Sequence, residues 1–447
     1  MQKIVIKNFG PIQFAEIEIR PFTVLLGEQA TGKSTVAELV QFFNSLAGRD
    51  WLLKFLSKGE KVLLDSKEVE SIMLDAIKEK YQLYYGNNFT SEGMVLKYFF
   101  NTTQDKYLEL KKKDGELSVS FSHSFGISEF CLQVSLIFKE KDHFNTQYKR
   151  LRTLLNDFAS SNWSEDFLNP TFFIAGRSIT TSYPETFKSF FLEHYREASF
   201  KSSHFVLTSL FIQHSSLLID VINQNGGSFA TLFSKENIFL KDDFLRRVEF
   251  ILKGKYYSSG TAESIEIVGK LKAVLLSQAS SGQQESIRIL QHLALLYASN
   301  IKSFLMIEEP EAHLFPSAQN ALTELMVMTH NRTGSHFFLT THSPYFLSSF
   351  NNLLYAAKAA GDNLPEGETP NPEHIKQVEA LGFPKHLRLQ AKDFAAYQLK
   401  NGIAESIFNP DYAVTDIDGL DAVSFEIASK FEALVEIVKE AEAYEAA

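Results

Sequence analysis

The sequence predicts an α/β fold, and two observations carry the prediction. One is the order of an apolar strand pattern, a glycine-containing loop and a helical pattern over residues 22–43. The other is the alternation of helix, strand, helix, strand and helix over about 283–360, the rhythm of a parallel βαβ sheet.

Taken in order, residues 1 to about 48 read strand, turn, strand, loop and helix: Met1 to Lys7 alternates, Phe22-Thr-Val-Leu-Leu26 is a buried-strand run, and Thr35 to Phe43 repeats apolar residues at helical spacing. From about 50 to 165, helical patterns flank a hairpin-like segment of Val95–Phe100, Tyr107–Lys111 and Leu117–Phe121, with Lys113-Asp114-Gly115 as turn chemistry. The helical patterns of about 128–160 contain no sustained heptad, which excludes a long coiled-coil arm. Thr171–Ala175 reads as a short buried strand ending in Gly176-Arg177-Ser178. Helical patterns run over about 183–252, and Ser264–Val268 and Lys272–Leu276 look like strands. The Pro- and Gly-containing stretch 361–372 is a loop, Phe394–Leu399 and Ile403–Ile407 form a hairpin about Lys400-Asn401-Gly402, and an amphipathic acidic helix begins near 421. No internal repeat is present.

At 447 residues the chain exceeds one ordinary core, so two lobes or one core with a large insertion are expected. The expected division sets 1–50 with 265–447 as the core and 51–264 as the insertion. Hydrophobic and charged contents of 45% and 22% are those of a soluble globular protein, and the 40 Phe, spread along the chain, read as core packing. A net charge of −10 argues against a generally basic nucleic-acid coat, while a local basic patch would not show in the total. The one cysteine, Cys131, excludes an internal disulfide framework and a cysteine metal cluster. Met1–Lys7 lacks the continuous apolar core of a signal peptide, and Phe205–Ile222 is broken by Thr208, Gln213, His214, Ser215, Ser216 and Asp220, so a buried helix rather than a membrane span is expected, in a cytoplasmic protein.

The chemistry centres on Gly27-Glu28-Gln29-Ala30-Thr31-Gly32-Lys33-Ser34, which reads G-x-x-x-x-G-K-S between strand and helix. Its glycines let backbone N–H groups turn inward on phosphates, Lys33 reaches the β and γ oxygens, and Ser34, with Thr35 next to it, sits at the positive end of the helix where Mg²⁺ binds. ATP and Mg²⁺ are therefore the expected ligands. The strand Ser303–Ile307 ends in Glu308-Glu309-Pro310, placing two carboxylates at a ligand edge: one for Mg²⁺ or its water, the other to orient the attacking water. Outside this context such a pair is a solvated turn. Ahead of a helix, Ser280, Ser281, Gly282 and Gln283 read either as a helix cap or as a second anion site. His342 follows the strand His336–Thr341 and is either structural or a hydrogen-bond partner of a γ-phosphate.

In this order, Gly27–Ser34, Ala279–Gln283, Phe304-Leu-Met-Ile-Glu-Glu-Pro-Glu-Ala-His-Leu314 and Thr340-Thr-His-Ser-Pro344 resemble the motifs of the ABC-type ATPase head of the SMC, RecF and OLD proteins, over residues 1–50 and about 265–360. The resemblance implies a mixed or parallel sheet with helices and an antiparallel β-subdomain, here with a mainly helical insertion. It makes the four segments Walker A, the ABC signature, Walker B with its D-loop, and the switch histidine. Lys33 and Ser34 would then hold phosphates and Mg²⁺, Glu308 the metal and Glu309 the water, His342 would sense the γ-phosphate, and Glu311 and His313 would lie at a dimer seam. The signature would serve the nucleotide of another copy, giving a head-to-tail dimer or higher homo-oligomer. Glu308 stands where most ABC ATPases have Asp. No glutamine loop is identifiable, and Arg177 is a candidate either for that contact or for an ion pair.

Within that superfamily the chain looks like the stand-alone OLD-like ATPases that phage-defence systems of the Septu and PARIS type pair with a separately encoded nuclease. A RecF-like DNA clamp is the alternative, drawing on Lys111-Lys112-Lys113, Lys139, Lys141, Lys149, Arg150 and Arg152, which otherwise form a solvated face. Asp416-Ile417-Asp418 superficially fits a nuclease metal site, but no Glu-Gly strand end precedes it and 29 residues follow, so it reads instead as a turn with a helix cap, and no nuclease activity of the chain's own is expected.

Overall fold

The computed structural model describes residues 1–46, 51, 54–57, 64–86, 90–140, 144–162, 170–182, 202–233, 238–260, 262–267, 269, 273–364 and 369–415. The Asp416-Ile417-Asp418 segment and the helix expected from 421 lie outside them, as do Lys141, Val268 and Lys272.

Alternation and turn chemistry build the antiparallel half of the sheet. Strands β1 (Gln2–Phe9) and β2 (Ile12–Ile19) pair across a tight turn, with Ile4 opposite Ile17. The expected hairpin region becomes three strands, β4 (Thr90–Asn101), β5 (Lys106–Lys113) and β6 (Glu116–Phe121). β4 pairs with β1, so Ile4, Ile6, Leu96, Tyr98, Leu108 and Leu110 share one buried face. Lys111 and Lys113 stand on the opposite, exposed side.

The other half is parallel and reads as continuous apolar runs because both its faces are covered. β3 (Phe22–Gly27), β7 (Thr171–Phe173), β11 (Phe304–Glu308) and β12 (His336–Thr341) belong to it, and all six residues of β3 and of β12 are buried. β13 (Phe394–Lys400) and β14 (Ile403–Ser406) form the expected hairpin, and β13 lies parallel to β3. The order is β6-β5-β4-β1-β2-β14-β13-β3-β12-β11-β7, an 11-stranded mixed sheet. Four of these strands come from the 51–264 segment, so that segment shares the main sheet and its hydrophobic core. A separate three-stranded sheet joins β8 (Gly254–Ser259), β9 (Ala262–Ile267) and β10 (Ala273–Leu275), and β15 (Phe408–Asn409) pairs with β16 (Val414–Thr415).

The helical patterns of 128–160 become two helices, Ile127–Lys139 and Phe144–Asn162. The helix Ser203–Gln224 is long and apolar enough to cross a membrane by length and composition, yet it buries Leu207, Phe211, Leu218 and Ile222 in the core. Cys131 is also buried, and burial pushes its thiol up to about 12, so it stays a small hydrophobe. One helix, Pro372–Ala380, was not expected: it follows the loop, with Pro372 in the first turn and the Asn371 side chain accepting from the Glu373 N–H at 2.9 Å.

Register places the chemistry. Thr341 pairs with Leu26, Thr340 with Glu308, and Phe173 with Ile307. The segments leaving β3, β12, β11 and β7 therefore emerge at one edge of the sheet, carrying Gly27, His342, Glu309 and Ile174.

Candidate active site

The loop after β3 is shaped by two glycines for two different reasons. A Cβ at Gly27 would stand 2.6 Å from the carbonyl oxygen of Leu399, so β13 leaves no room for a side chain. Gly32 has φ +102° and caps the helix Lys33–Asn44, a conformation that favours glycine, and Ala30 between them has φ +64°. Thr31 Oγ1 closes the turn on the carbonyl of Glu28 at 2.9 Å. Glu28, Gln29, Ala30 and Ser34 are exposed and Thr35 is half-buried, so one face of the loop opens to a ligand.

Lys33 is buried at the bottom of this loop. Its Nζ donates to the carbonyls of Gly27 at 2.9 Å and Glu28 at 2.8 Å and lies 3.4 Å from His342 Nδ1. Burial lowers its pKa, and the charges of Glu309, Glu311 and Glu308 work against that fall. His342 leaves β12 with its other ring nitrogen 3.3 Å from Glu309 Oε1, so one imidazole bridges the loop lysine and the Glu309 carboxylate. A lysine, a histidine and a carboxylate named from separate segments thus meet at the sheet edge.

The two glutamates that end and follow β11 differ. Glu308 is buried, and its Oε2 accepts the Ala175 N–H at 3.1 Å. Glu309 is half-buried with φ +43°, a left-handed conformation uncommon for a residue with a side chain, and its N–H donates to Thr340 at 2.8 Å. That backbone turns consecutive carboxylates to different places, Glu308 inward and Glu309 toward His342.

Glu311, expected in the segment at a dimer seam, has a buried side chain. Its Oε1 accepts the Thr341 hydroxyl at 2.6 Å and the His342 N–H at 2.8 Å, and burial raises its pKa. The carboxylate thus holds the end of β12 and the backbone of His342. His313 is exposed.

Arg177 has no exposed surface. Its guanidinium donates to the carbonyls of Ile174 and Glu309 at 2.9 Å, of Glu285 at 3.0 Å, and of Glu308. Of the two readings the sequence left open, the ion pair is the one the side chain makes: Nε stands 3.6 Å from Glu285 Oε2.

Ser280 and Ser281 are exposed at the start of the helix Ser281–Ser299. Gln283 is turned back into its own chain: its Oε1 accepts from Ser280 N and Oγ, and its Nε2 donates to Leu252 O at 2.6 Å. What remains presented outward is the two serines.

Sequence reasoning missed Glu38, Glu285 and Thr341. Glu38 lies one turn beyond Ser34, a spacing that puts both on the same helix face and could have flagged it. Glu285 stands one turn beyond Ser281, but nothing local marks it as the partner of an arginine 108 positions away.

The residues fit Mg²⁺-ATP as a substrate. The loop opens an exposed face at Glu28, Gln29, Ala30 and Ser34, Lys33 supplies a cation, and buried Glu308 and exposed Ser34 are the oxygen donors that a hard cation takes. Such an ion would neutralise phosphate charge when bound.

The family described as an AAA ATPase domain matches residues 1–347. Among solved structures, an SMC head bound to the C-terminal winged-helix domain of ScpA matches at 10% identity, covering 91% of this chain and 96% of that one with a TM-score of 0.38. The SMC head domain from Thermotoga maritima matches at 11% identity over 91% and 97% with a TM-score of 0.35. The recombination mediator protein RecF matches at 10% identity over 91% and 97% with a TM-score of 0.31. No curated protein matches the chain.

Proposed function

The chain belongs to the AAA ATPase domain family, and on that premise we propose that it hydrolyses Mg²⁺-ATP as a head-to-tail dimer, a switch that holds or releases a separately encoded nuclease in phage defence. The observation that carries the catalytic part is the bridge from Lys33 through His342 to Glu309. Lys33 holds phosphate oxygens, Glu309 orients the attacking water, and His342 fixes the carboxylate relative to the lysine. Ser34 and Glu308 hold the metal.

The dimer reading rests on the two outward-facing serines. Ser280 and Ser281 stand exposed at a helix N-terminus, a place that favours an anion, and the reading has them complete the partner's nucleotide site. Hydrolysis then waits on closure of both halves, which makes turnover slow and concentration-dependent. The test is Glu309→Gln, which should bind ATP without hydrolysing it and accumulate as a dimer in sedimentation or light scattering. A Glu309→Gln chain that stays monomeric with ATP bound would overturn the head-to-tail arrangement.

A second reading, the DNA clamp, is favoured by one observation. Lys111 and Lys113 are exposed on the outer face of the antiparallel half-sheet, where Lys97 lies over the Tyr107 ring and Lys3 over Phe99. Tight duplex binding by the isolated protein, with a steep salt slope, would select this reading over the nuclease switch.

A further inference from the structure

We propose that Arg177 is a positioning residue which, through Glu285, makes the two Walker B glutamates and the outward-facing serine turn of the same chain move as one unit, so that a nucleotide held on a chain's own Lys33 sets the Ser280–Gly282 turn offered to the partner. This rests on the head-to-tail reading above.

The geometry runs through a single planar group. Nη1 and Nη2 of Arg177 hold the carbonyls of Glu308 and Glu309, the residues whose side chains the site uses, while Nε holds the carbonyl of Glu285 at 3.0 Å. The reverse contacts exist too: the Glu285 carboxylate accepts the Arg177 N–H at 2.8 Å and the Ser178 N–H at 3.1 Å. Both side chains are buried, Arg177 at 0% and Glu285 at 3% exposure. A rigid fork in a dry site cannot follow one set of carbonyls and leave the other without stranding buried polar groups, so displacement at Glu309 is passed to the helix Ser281–Ser299.

Two further contacts make that helix respond as a body. A Cβ at Gly282 would stand 2.6 Å from His313 O, so its first turn rests on the backbone of the segment that begins at Glu309. One turn past Glu285, Arg288 is likewise fully buried and binds Glu263 Oε2 at 2.7 Å and the Thr180 carbonyl at 3.2 Å. The turn 176–182 is therefore held to the helix at Arg177 and Ser178 and again at Thr180. Ordinary stabilisation would be served as well by apolar packing, which avoids the cost of burying two charges. What the ion pair adds is an obligatory geometry between the carboxylate strand and the serine turn.

The test is hydrogen exchange on the full chain in a Ser281→Arg background, where bulk on the exposed serine keeps two chains from closing and leaves only the effect of a chain's own nucleotide. With ATP and Mg²⁺ the expected result is slowed exchange at 27–35 together with altered exchange at 280–286. Adding Glu285→Gln, which keeps the backbone bond to Nε but removes the carboxylate that accepts both the Arg177 and Ser178 N–H groups, should preserve the response at 27–35 and diminish that at 280–286. Arg177→Lys, which keeps the charge but not the fork, should do the same and serves if Glu285→Gln does not fold. An undiminished response at 280–286 in either variant overturns the coupling, as does silence at 280–286 in the parent while 27–35 responds. Silence at 27–35 in the parent instead overturns the nucleotide site and the coupling with it.

Discussion

The Nζ of Lys33 and the Nδ1 of His342 stand 3.4 Å apart, and the Nε2 of the same ring stands 3.3 Å from Glu309 Oε1. An ammonium has only protons to offer, so Nδ1 must present its lone pair and Nε2 must carry the hydrogen toward Glu309. The three protons of Nζ are thereby assigned to Gly27 O, Glu28 O and His342. The ring thus links the loop lysine to the Glu309 carboxylate.

His342→Ala should therefore impair chemistry more than binding. The expected outcome is a loss of roughly 10²-fold in single-turnover hydrolysis, the lower end for a positioned acid–base group. Affinity for ATP should change little, because Lys33 keeps its two carbonyl partners. His342→Gln, which can offer an amide N–H to Glu309, should recover part of the rate. An equal loss in ATP affinity would place His342 among the binding groups instead.

Lys33→Ala should weaken nucleotide binding strongly and leave the fold standing. A charge-assisted contact to phosphate is worth about 3 kcal/mol or less, so removal weakens binding by up to roughly 100-fold. The folded loop loses a buried cation together with its desolvation cost, and the carbonyls of Gly27 and Glu28 lose a donor. Calorimetric titration with ATP and a thermal melt on the same sample check both halves, and retained hydrolysis would contradict the site.

How much of this was legible in the sequence depends on range. The strands carrying Leu26, Ile307 and Leu339, and the motifs following them, were readable because a fully buried strand is a short apolar run bounded by turn residues. The hairpin about Asn401 was readable from its turn, but not that β13 would slip in beside β3, since long-range pairing leaves no local signature. Position could be anticipated for Arg177 and Glu311, but not burial. Whether a charged side chain faces solvent or four carbonyls depends on elements over a hundred residues away, as with Arg177 and Glu309.

Gly27→Ala tests the close approach of β13 to the loop. The new methyl would meet Leu399 O at 2.6 Å and Thr31 Oγ1 at 2.9 Å, and Leu399 O is backbone that cannot swing away. Overpacking of this kind costs about 1–3 kcal/mol. Urea unfolding should show that loss, with ATP affinity falling as well because the loop must shift. Ala at Gly126, where nothing lies within 4 Å but φ is +72°, separates backbone strain from the clash. A Gly27→Ala chain as stable as the parent would mean the loop and β13 can part without cost.

Glu38 gives the chain a pH dependence of definite sign. It lies one turn beyond Ser34, and its Oε2 accepts the Ser203 hydroxyl at 2.7 Å. Burial pushes its carboxyl up from 4.5 to about 7; the Glu308 charge pushes the same way and the Ser203 bond opposes them. Below pH 4.5 the group is neutral in folded and unfolded chains alike, so its burial carries no ionic penalty. Between 4.5 and about 7 the folded chain keeps a proton that the unfolded chain has released, and stability falls as pH rises through that window. At 1.36 kcal/mol per pKa unit, the full loss is about 3 kcal/mol. Glu38→Gln keeps the side-chain shape and an oxygen for Ser203 while removing the titration. Urea unfolding at a series of pH values from 5 to 8 should show the variant and parent converging at the acid end, with the variant gaining up to about pH 7 and the difference then levelling off. Parallel curves across the whole range would mean that Glu38 enters the folded state already ionised.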